Sequence, residues 1–483
     1  MSAASEKKSY TSTTNACKLC TPLGASLVFK GVRGAVPLMH GSQGCATYMR
    51  RYLISHFKEP MDIASSNFTE ESAVFGGGAN LKISIANVIR QYKPELLGIS
   101  TTCLSETIGD DVPQIVKSFL AETGGEAVAP PIVHVSTPSY SGTHIDGFHG
   151  AVLSLVDQLA EAPEQSGLSE AAMAPEKTGM QEIRDAALLG ESARKRINLL
   201  PGMLSTADLR YLKAVIEGFD AEAVVLPDYE RSLDGGLWGE YQKIPEGGTS
   251  VAQIRSMGAA SATIELGDVL GETKSAGRLL ESRFGIPLHA MGLPVGIRSS
   301  DRFFRTLEMI TGNKTPERFQ RERERLLDAL ADGHKYVFEA RAVVYGEEDF
   351  VIAMAGLLAE IGVAPVLCAS GGKSRHFKEK IREKMSGFYD GEMEVVDGVD
   401  FSEIEERAAA VAPDFLLGSS KGYSIARKLS VPLIRVGFPV HDRVGGSRIL
   451  HVGYGGIQSL FDRIANTLLT VKQEKSPVGY SYM

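Results

Sequence analysis

Three cysteines in this chain are placed to do chemistry: Cys20 in C-T-P-L-G-A, Cys45 in H-G-S-Q-G-C and Cys103 in T-T-C-L-S-E-T. Each lies in a stretch that reads as a loop, among glycine, serine, threonine or proline rather than inside an apolar run. Small neighbours let the backbone approach a bulky group, and thiolates are the ligands of soft metal ions and iron–sulfur clusters. Cys17 completes a C-x-x-C with Cys20, but a zinc site needs a second pair and none follows at a workable spacing. Thioredoxin-like redox chemistry needs the pair at the start of a helix just after a strand, and these residues follow a polar tail. Cys368, in the apolar run P-V-L-C-A-S, reads as a small buried hydrophobe. Taken singly, Cys45 and Cys103 read equally well as structural thiols at strand ends.

Other motifs are weaker. Thr137–His144, T-P-S-Y-S-G-T-H, follows an apolar run and is rich in the residues that make turns. Gly76-Gly77-Gly78 precedes a helix expected to begin near Asn80 and could cradle an anion there, although a tight turn explains it more simply. Gly371-Gly372-Lys373-Ser374 imitates a phosphate-binding loop, but Leu367 stands where a Walker A motif needs its first glycine. No H-E-x-x-H, G-x-S-x-G or clean G-x-G-x-x-G occurs, and the 10 histidines form no dense cluster with carboxylates.

The elements that must position these residues are those of an α/β protein. Short continuous runs rich in Val, Ile and Leu read as parallel strands buried on both faces. They are Leu96–Ser100, Ile132–Ser136, Ile197–Leu200, Ala223–Leu226, Ala262–Leu266, Ala342–Tyr345, Pro365–Ala369, Phe415–Gly418 and Pro432–Val436. Helical patterns alternate with them, such as Asp349–Ile361, which ends at Gly362. A length of 483 residues allows about three domains. The boundaries expected are an N-terminal α/β domain over 1–160 holding the thiols, a polar linker over 161–195, a middle α/β domain over 196–325 and a C-terminal α/β domain over 326–483. The charged stretch Thr311–Asp332 reads as a solvated helix joining the last two. Ligand sites in such domains lie at the carboxyl ends of strands.

Composition excludes several classes of function. Hydrophobic residues make up 43% and charged residues 23%, as in an ordinary soluble globular protein. A net charge of -8 argues against broad nucleic-acid binding, which needs a basic face. No apolar run approaches the roughly 20 residues that span a bilayer. The N-terminus lacks the apolar stretch of a secretory signal. With only 5 cysteines the chain has no disulfide framework, which fits a reducing, cytoplasmic location.

Set in order, the segments C-T-P-L-G-A, H-G-S-Q-G-C-A-T-Y, S-H-F-K-E-P, N-F-T-E-E-S-A-V-F-G-G-G, T-T-C-L-S-E-T-I-G-D-D-V-P and T-P-S-Y-S-G-T-H resemble the β-type chain of nitrogenase component 1 and its relatives. The intervals between Cys20, Cys45 and Cys103 match the spacing of that family's cluster-binding cysteines. The likeness continues to V-P-L-I-R-V-G-F-P-V-H-D-R at Val431–Arg443 and so covers nearly the whole chain. It implies three Rossmann-like α/β domains with mainly parallel sheets, and an α2β2 heterotetramer with a homologous α-type chain. It also implies an iron–sulfur cluster shared across the αβ interface, which in nitrogenase is the eight-iron P-cluster. The β-chain ligands of that cluster match Cys20, Cys45 and Cys103, and a serine that can ligate its oxidised form matches Ser139. Phe75 matches an aromatic at the docking surface for the ATP-hydrolysing reductase, the Fe protein, which would carry the phosphate loop absent here. A larger iron–sulfur cofactor, with or without molybdenum, would sit in the α chain, leaving this chain as an electron relay.

Two kinds of family member fit. One is a catalytic reductase subunit, either of nitrogenase or of a nitrogenase-like enzyme such as methylthio-alkane reductase. The other is NifN, half of the scaffold on which the nitrogenase cofactor matures. L-D-G-G-L-W at Leu233–Trp238, the ending S-P-V-G-Y-S-Y-M and the short N-terminus resemble NifN-type chains. The best-known NifN chains, however, have lost most of these cysteines and hold a four-iron cluster. Three cysteines plus Ser139 therefore favour a reductase, with methylthio-alkane reductase ahead of dinitrogen reduction because of the NifN-like body.

Overall fold

Every apolar run expected to form a strand does so, and each pairs in parallel. The computed structural model describes residues 16–124, 129–162, 194–237, 239–270 and 274–478. The first strands are β1 (Ala35–His40), β2 (Ala64–Ser65), β3 (Leu96–Thr101) and β4 (Ile132–Val135). They make one sheet in the order β2-β1-β3-β4. A second sheet follows from β5 (Lys195–Leu200), β6 (Ala221–Val225), β7 (Ala262–Leu266) and β8 (Leu288–Met291), in the order β6-β5-β7-β8. The third is built from β9 (Arg341–Gly346), β10 (Ala364–Ser370), β11 (Glu394–Val396), β12 (Phe415–Gly418) and β13 (Leu433–Arg435), in the order β11-β10-β9-β12-β13.

Four of these strands were not anticipated. β1 carries Pro37, which lacks the donor a central strand normally uses. Its neighbour β2 pairs only with Leu38 and Met39, so Pro37 lies beyond that pairing. β2, β8 and β11 are short edge strands without a fully buried apolar run. The interior strands β1, β3 and β12 are buried at every residue, as sheets covered on both faces require.

Helix α1 (Thr21–Lys30) is buried along its whole length. It lies on β3 at Gly98, where an added Cβ would fall 2.2 Å from the Phe29 ring. The charged stretch after Thr311 does form a helix, Glu317–Val337. It is not wholly solvated: Phe319, Leu326 and Val337 are buried, and the helix packs along the C-terminal helix Gly453–Lys475. Most of the expected linker over 161–195 lies outside the described residues, and its last residue, Lys195, opens β5. No helix among the described residues is long and apolar enough to cross a membrane.

Candidate functional site

Strands β1, β3 and β4 run the same way, so the segments that follow them leave the sheet at one edge. After β1, Ser42 caps helix α2 (Gln43–Phe57) by accepting the Gly44 N–H, and Cys45 sits in the first turn. After β3, Thr102 caps the next helix and exchanges hydrogen bonds with Ser105, so Cys103 is that helix's first residue. After β4, Ser139 lies in the turn ahead of a helix whose cap, Thr143, is bonded reciprocally to Asp146. Cys20 is itself the N-cap residue of α1. Sequence reasoning put Cys45 and Cys103 in loops; the structure puts both at helix starts, because Ser42 and Thr102 act as caps within stretches that read as loop. The orphan amides and dipole of a helix N-terminus favour negative charge.

Cys20 reaches this edge because α1 crosses helix His144–Leu159 at two glycines. A Cβ on Gly24 would lie 1.8 Å from the His144 carbonyl oxygen, and one on Gly147 would lie 1.9 Å from that of Thr21. The same helix start brackets the backbone around Cys20. Leu19 N donates to His144 Nδ1 at 3.4 Å, His144 N donates to the Leu19 carbonyl at 3.0 Å, and Thr21 N donates to Ser139 Oγ at 3.1 Å.

Cys20, Cys45, Cys103 and Ser139 thus come together. Burial raises the Cys20 thiol pKa against a lowering hydrogen bond from Ser139, with Cys103 raising it and Lys18 and Lys421 lowering it. Burial likewise raises Cys45, with Cys20 and Cys103 adding to the shift. The thiols feel one another's charge, yet among the described residues no three His, Cys, Asp or Glu side chains are gathered tightly enough to hold one metal ion. The set suits a larger group touched from several sides by soft donors. It opens to the surface: Cys20 and Cys45 are half-buried, Cys103 is exposed, and Tyr48, Leu104 and Tyr140 nearby in sequence are exposed too. A cavity of about 370 Å³ lined by Glu265, Asp268, Arg298 and Lys384 lies against the second sheet and includes none of the four.

The other cysteines point elsewhere. Cys17 packs with Val343, Tyr345, Leu367 and Ala369 in the core of the third sheet, where burial pushes its pKa up to about 12. The G-G-K-S segment that imitates a phosphate loop makes room for it, since a Cβ on Gly371 would lie 2.4 Å from the Cys17 carbonyl oxygen. Cys368 is fully buried in β10, as expected.

Phe75 ends the short helix α3 (Glu70–Phe75) and is 83% exposed, with Val74 at 72% beside it. Helix α3 packs on the helix that begins at Cys103, so the element bearing this apolar face adjoins the one bearing that thiol. After Phe75, Gly76 and Gly77 lead directly into helix α4 (Gly78–Tyr92), two residues earlier than expected. Two residues missed by sequence reasoning lie beneath that turn: buried His40, at the end of β1, and Asp110, bonded to each other at 3.0 Å. Their signal was present in the strings H-G-S-Q-G-C and I-G-D-D-V-P, but not their pairing.

The profile of one protein family, nitrogenase component 1 type oxidoreductase, matches residues 20–469. The nitrogenase molybdenum-iron protein beta chain of Clostridium pasteurianum is 32% identical over 456 residues, covering 94% of this chain and 93% of its own. The nitrogenase iron-molybdenum cofactor biosynthesis protein NifN of Bradyrhizobium diazoefficiens is 32% identical over 470 residues, covering 96% and 92%. A solved structure of nitrogenase Cp1 at pH 6.5 superposes with a TM-score of 0.88 at 30% identity, over 99% of this chain and 98% of that one.

Proposed function

Because the chain belongs to the nitrogenase component 1 type oxidoreductases, we propose that it is the β-type subunit of a nitrogenase-like reductase. Cys20, Cys45, Cys103 and Ser139 would hold its half of a P-cluster-type iron–sulfur cluster. The observation that carries this reading is the meeting of those four side chains at one open edge of the first sheet. When bound, such a cluster takes up electrons and passes them on.

The chain's own residues prepare that site. Ser139, Lys18 and Lys421 favour the Cys20 thiolate, while burial opposes it, so binding iron must release protons. The apolar rim of Tyr48, Leu104 and Tyr140 would be covered by a homologous α-type chain, closing the site to water in an α2β2 assembly. Phe75 would meet the ATP-hydrolysing Fe protein. The substrate, a methylthio-alkane or dinitrogen, would be reduced at a larger cofactor in the α-type chain, in the cytoplasm.

A second reading, a NifN-type scaffold subunit, is supported by the full-length match to a NifN protein and by Leu233–Trp238. The two separate on the purified complex of this chain with its α-type partner. Iron analysis, EPR and turnover with the Fe protein should show a P-cluster-type signal, its loss in Cys45→Ala, and a reduced substrate. A four-iron cluster with no turnover would instead establish the scaffold. Unchanged iron and colour in Cys45→Ala would rule out a cluster at this edge.

A further inference from the structure

We infer that His40 and Asp110 form a positioning relay that ties the loop after Phe75 to the helices carrying Cys45 and Cys103. The chain of contacts starts where α3 ends. The Gly77 N–H donates to both carboxylate oxygens of Asp110, at 3.1 and 3.0 Å. Asp110 Oδ2 in turn lies 3.0 Å from His40 Nε2, with the two side chains 9% and 0% exposed. A carboxylate only accepts, so Nε2 carries the proton and Nδ1 accepts from the Ser66 hydroxyl at 3.0 Å. Ser66 Oγ also accepts the Gly41 N–H, at 2.8 Å.

The backbone of His40 then holds the start of the Cys103 helix. Its carbonyl accepts Thr102 N at 3.1 Å and Ser105 Oγ at 2.9 Å, the two residues of that helix's capping box. Gly41 leads into Ser42, the cap of the Cys45 helix, and packs so closely on Thr102 that a Cβ there would fall 2.1 Å from its hydroxyl. There is little slack along the path. A Cβ on Gly77 would lie 2.2 Å from the Phe68 ring, which stands edge-on to His40 at 4.9 Å. Cys20 and Ser139 are held by a different pair of helices. A pull on Gly77 would therefore shift Cys45 and Cys103 relative to Cys20 and Ser139.

What the relay serves, the passage of a docking event at Phe75 to the thiols, rests on the proposed function; the mechanical coupling does not. Hydrogen-exchange mass spectrometry on the complex with its α-type partner tests the coupling alone. In Asp110→Ala, exchange should quicken about tenfold both at residues 76–78 and at residues 102–106. Faster exchange confined to 76–78 would overturn the inference, leaving Asp110 as a local acceptor. His40→Gln keeps a donor for Asp110 and should hold near-wild-type exchange, whereas His40→Ala should behave like Asp110→Ala. If Asp110→Ala does not fold, Asp110→Asn should show the same two-segment pattern more weakly, and a change at 76–78 alone would again overturn it. In the iron-loaded complex, docking of the Fe protein should change the EPR line shape in wild type but not in Asp110→Asn. An identical change in both would also overturn it. Absence of iron from the wild type would defeat the functional reading and leave the exchange result standing.

Discussion

Cys17 and Cys20, separated only by Lys18 and Leu19, belong to different regions of the molecule. The Cys17 sulfur is enclosed by the third sheet, and the amides of Gly346 and Gly371 are bonded to it. Cys20 stands over the carboxyl edge of the first sheet, half-buried, with the Ser139 hydroxyl on its sulfur. Leu19, between them, is clamped by His144, and Ala16, just before Cys17, bridges to Asp400. This short segment straps the first sheet to the third and turns its two thiols in opposite senses. A C-x-x-C is thus no pair by spacing alone. A thiol can serve a metal where it is only half-buried and its sulfur stays approachable, and serves packing where full burial forbids charge.

The largest test of that contrast is iron. Cys20→Ala, Cys45→Ala and Cys103→Ala should each strip most of the iron from the purified complex. Cys17→Ala should leave it at the wild-type level and cost about 1–2 kcal/mol of stability, the price of a small buried void. Metal analysis with chemical denaturation reads both quantities. Iron loss in Cys17→Ala equal to that in Cys20→Ala would erase the distinction between the two regions.

How much of this was legible in the sequence follows from how local each feature is. Strands such as Ala262–Leu266 and Phe415–Gly418 announce themselves because a strand buried on both faces must be continuously apolar. β1 does not, because Pro37 interrupts the signal. The identity and order of the thiols were legible, and so was the quiet role of Cys368. Their placement on helix starts was obscured, since Ser42 and Thr102 sit among glycines and threonines that also make turns. The fate of Cys17 depends on Gly371, and the bond from His40 to Asp110 spans 70 positions. Such contacts exist only after β1 has paired with β3, and no local pattern encodes them.

A second, smaller effect sharpens the comparison from the side of Cys20. Gly147→Ala sets a methyl 1.9 Å from the Thr21 carbonyl oxygen, where real Cβ atoms never approach, so α1 must move off its partner helix. The displacement falls on Cys20 and its bond to Ser139, and leaves the packing of Cys17 in the third sheet alone. Stability should drop by about 3 kcal/mol, and iron occupancy should fall with it. Gly24→Ala, meeting the His144 carbonyl oxygen at 1.8 Å from the opposite side of the crossing, should do the same. Wild-type stability with full iron in either variant would show that the close crossing does not hold Cys20 in place.

The smallest effect concerns the clamp between the two thiols. Burial pushes the pKa of His144 down to about 4 and that of His56, which accepts the Val440 N–H at 2.9 Å, down to about 3. Both are therefore neutral in the native state near neutrality, and an unfolded histidine titrates near about 6.5. Above that pH neither contributes a slope. As the pH falls below it, the unfolded chain gains protons that the native chain refuses, so stability declines by about 1.4 kcal/mol per pH unit per histidine until the folded pKa is reached. Protonated His144 could no longer accept the Leu19 N–H, which loosens the segment joining the two regions. Denaturant titrations between about pH 7 and pH 5 should show the decline. His144→Asn, which keeps an acceptor for Leu19 without the titration, should make the slope shallower by one histidine's share. An unchanged slope in that variant would mean that His144 is charged in the native state and does not accept the Leu19 N–H.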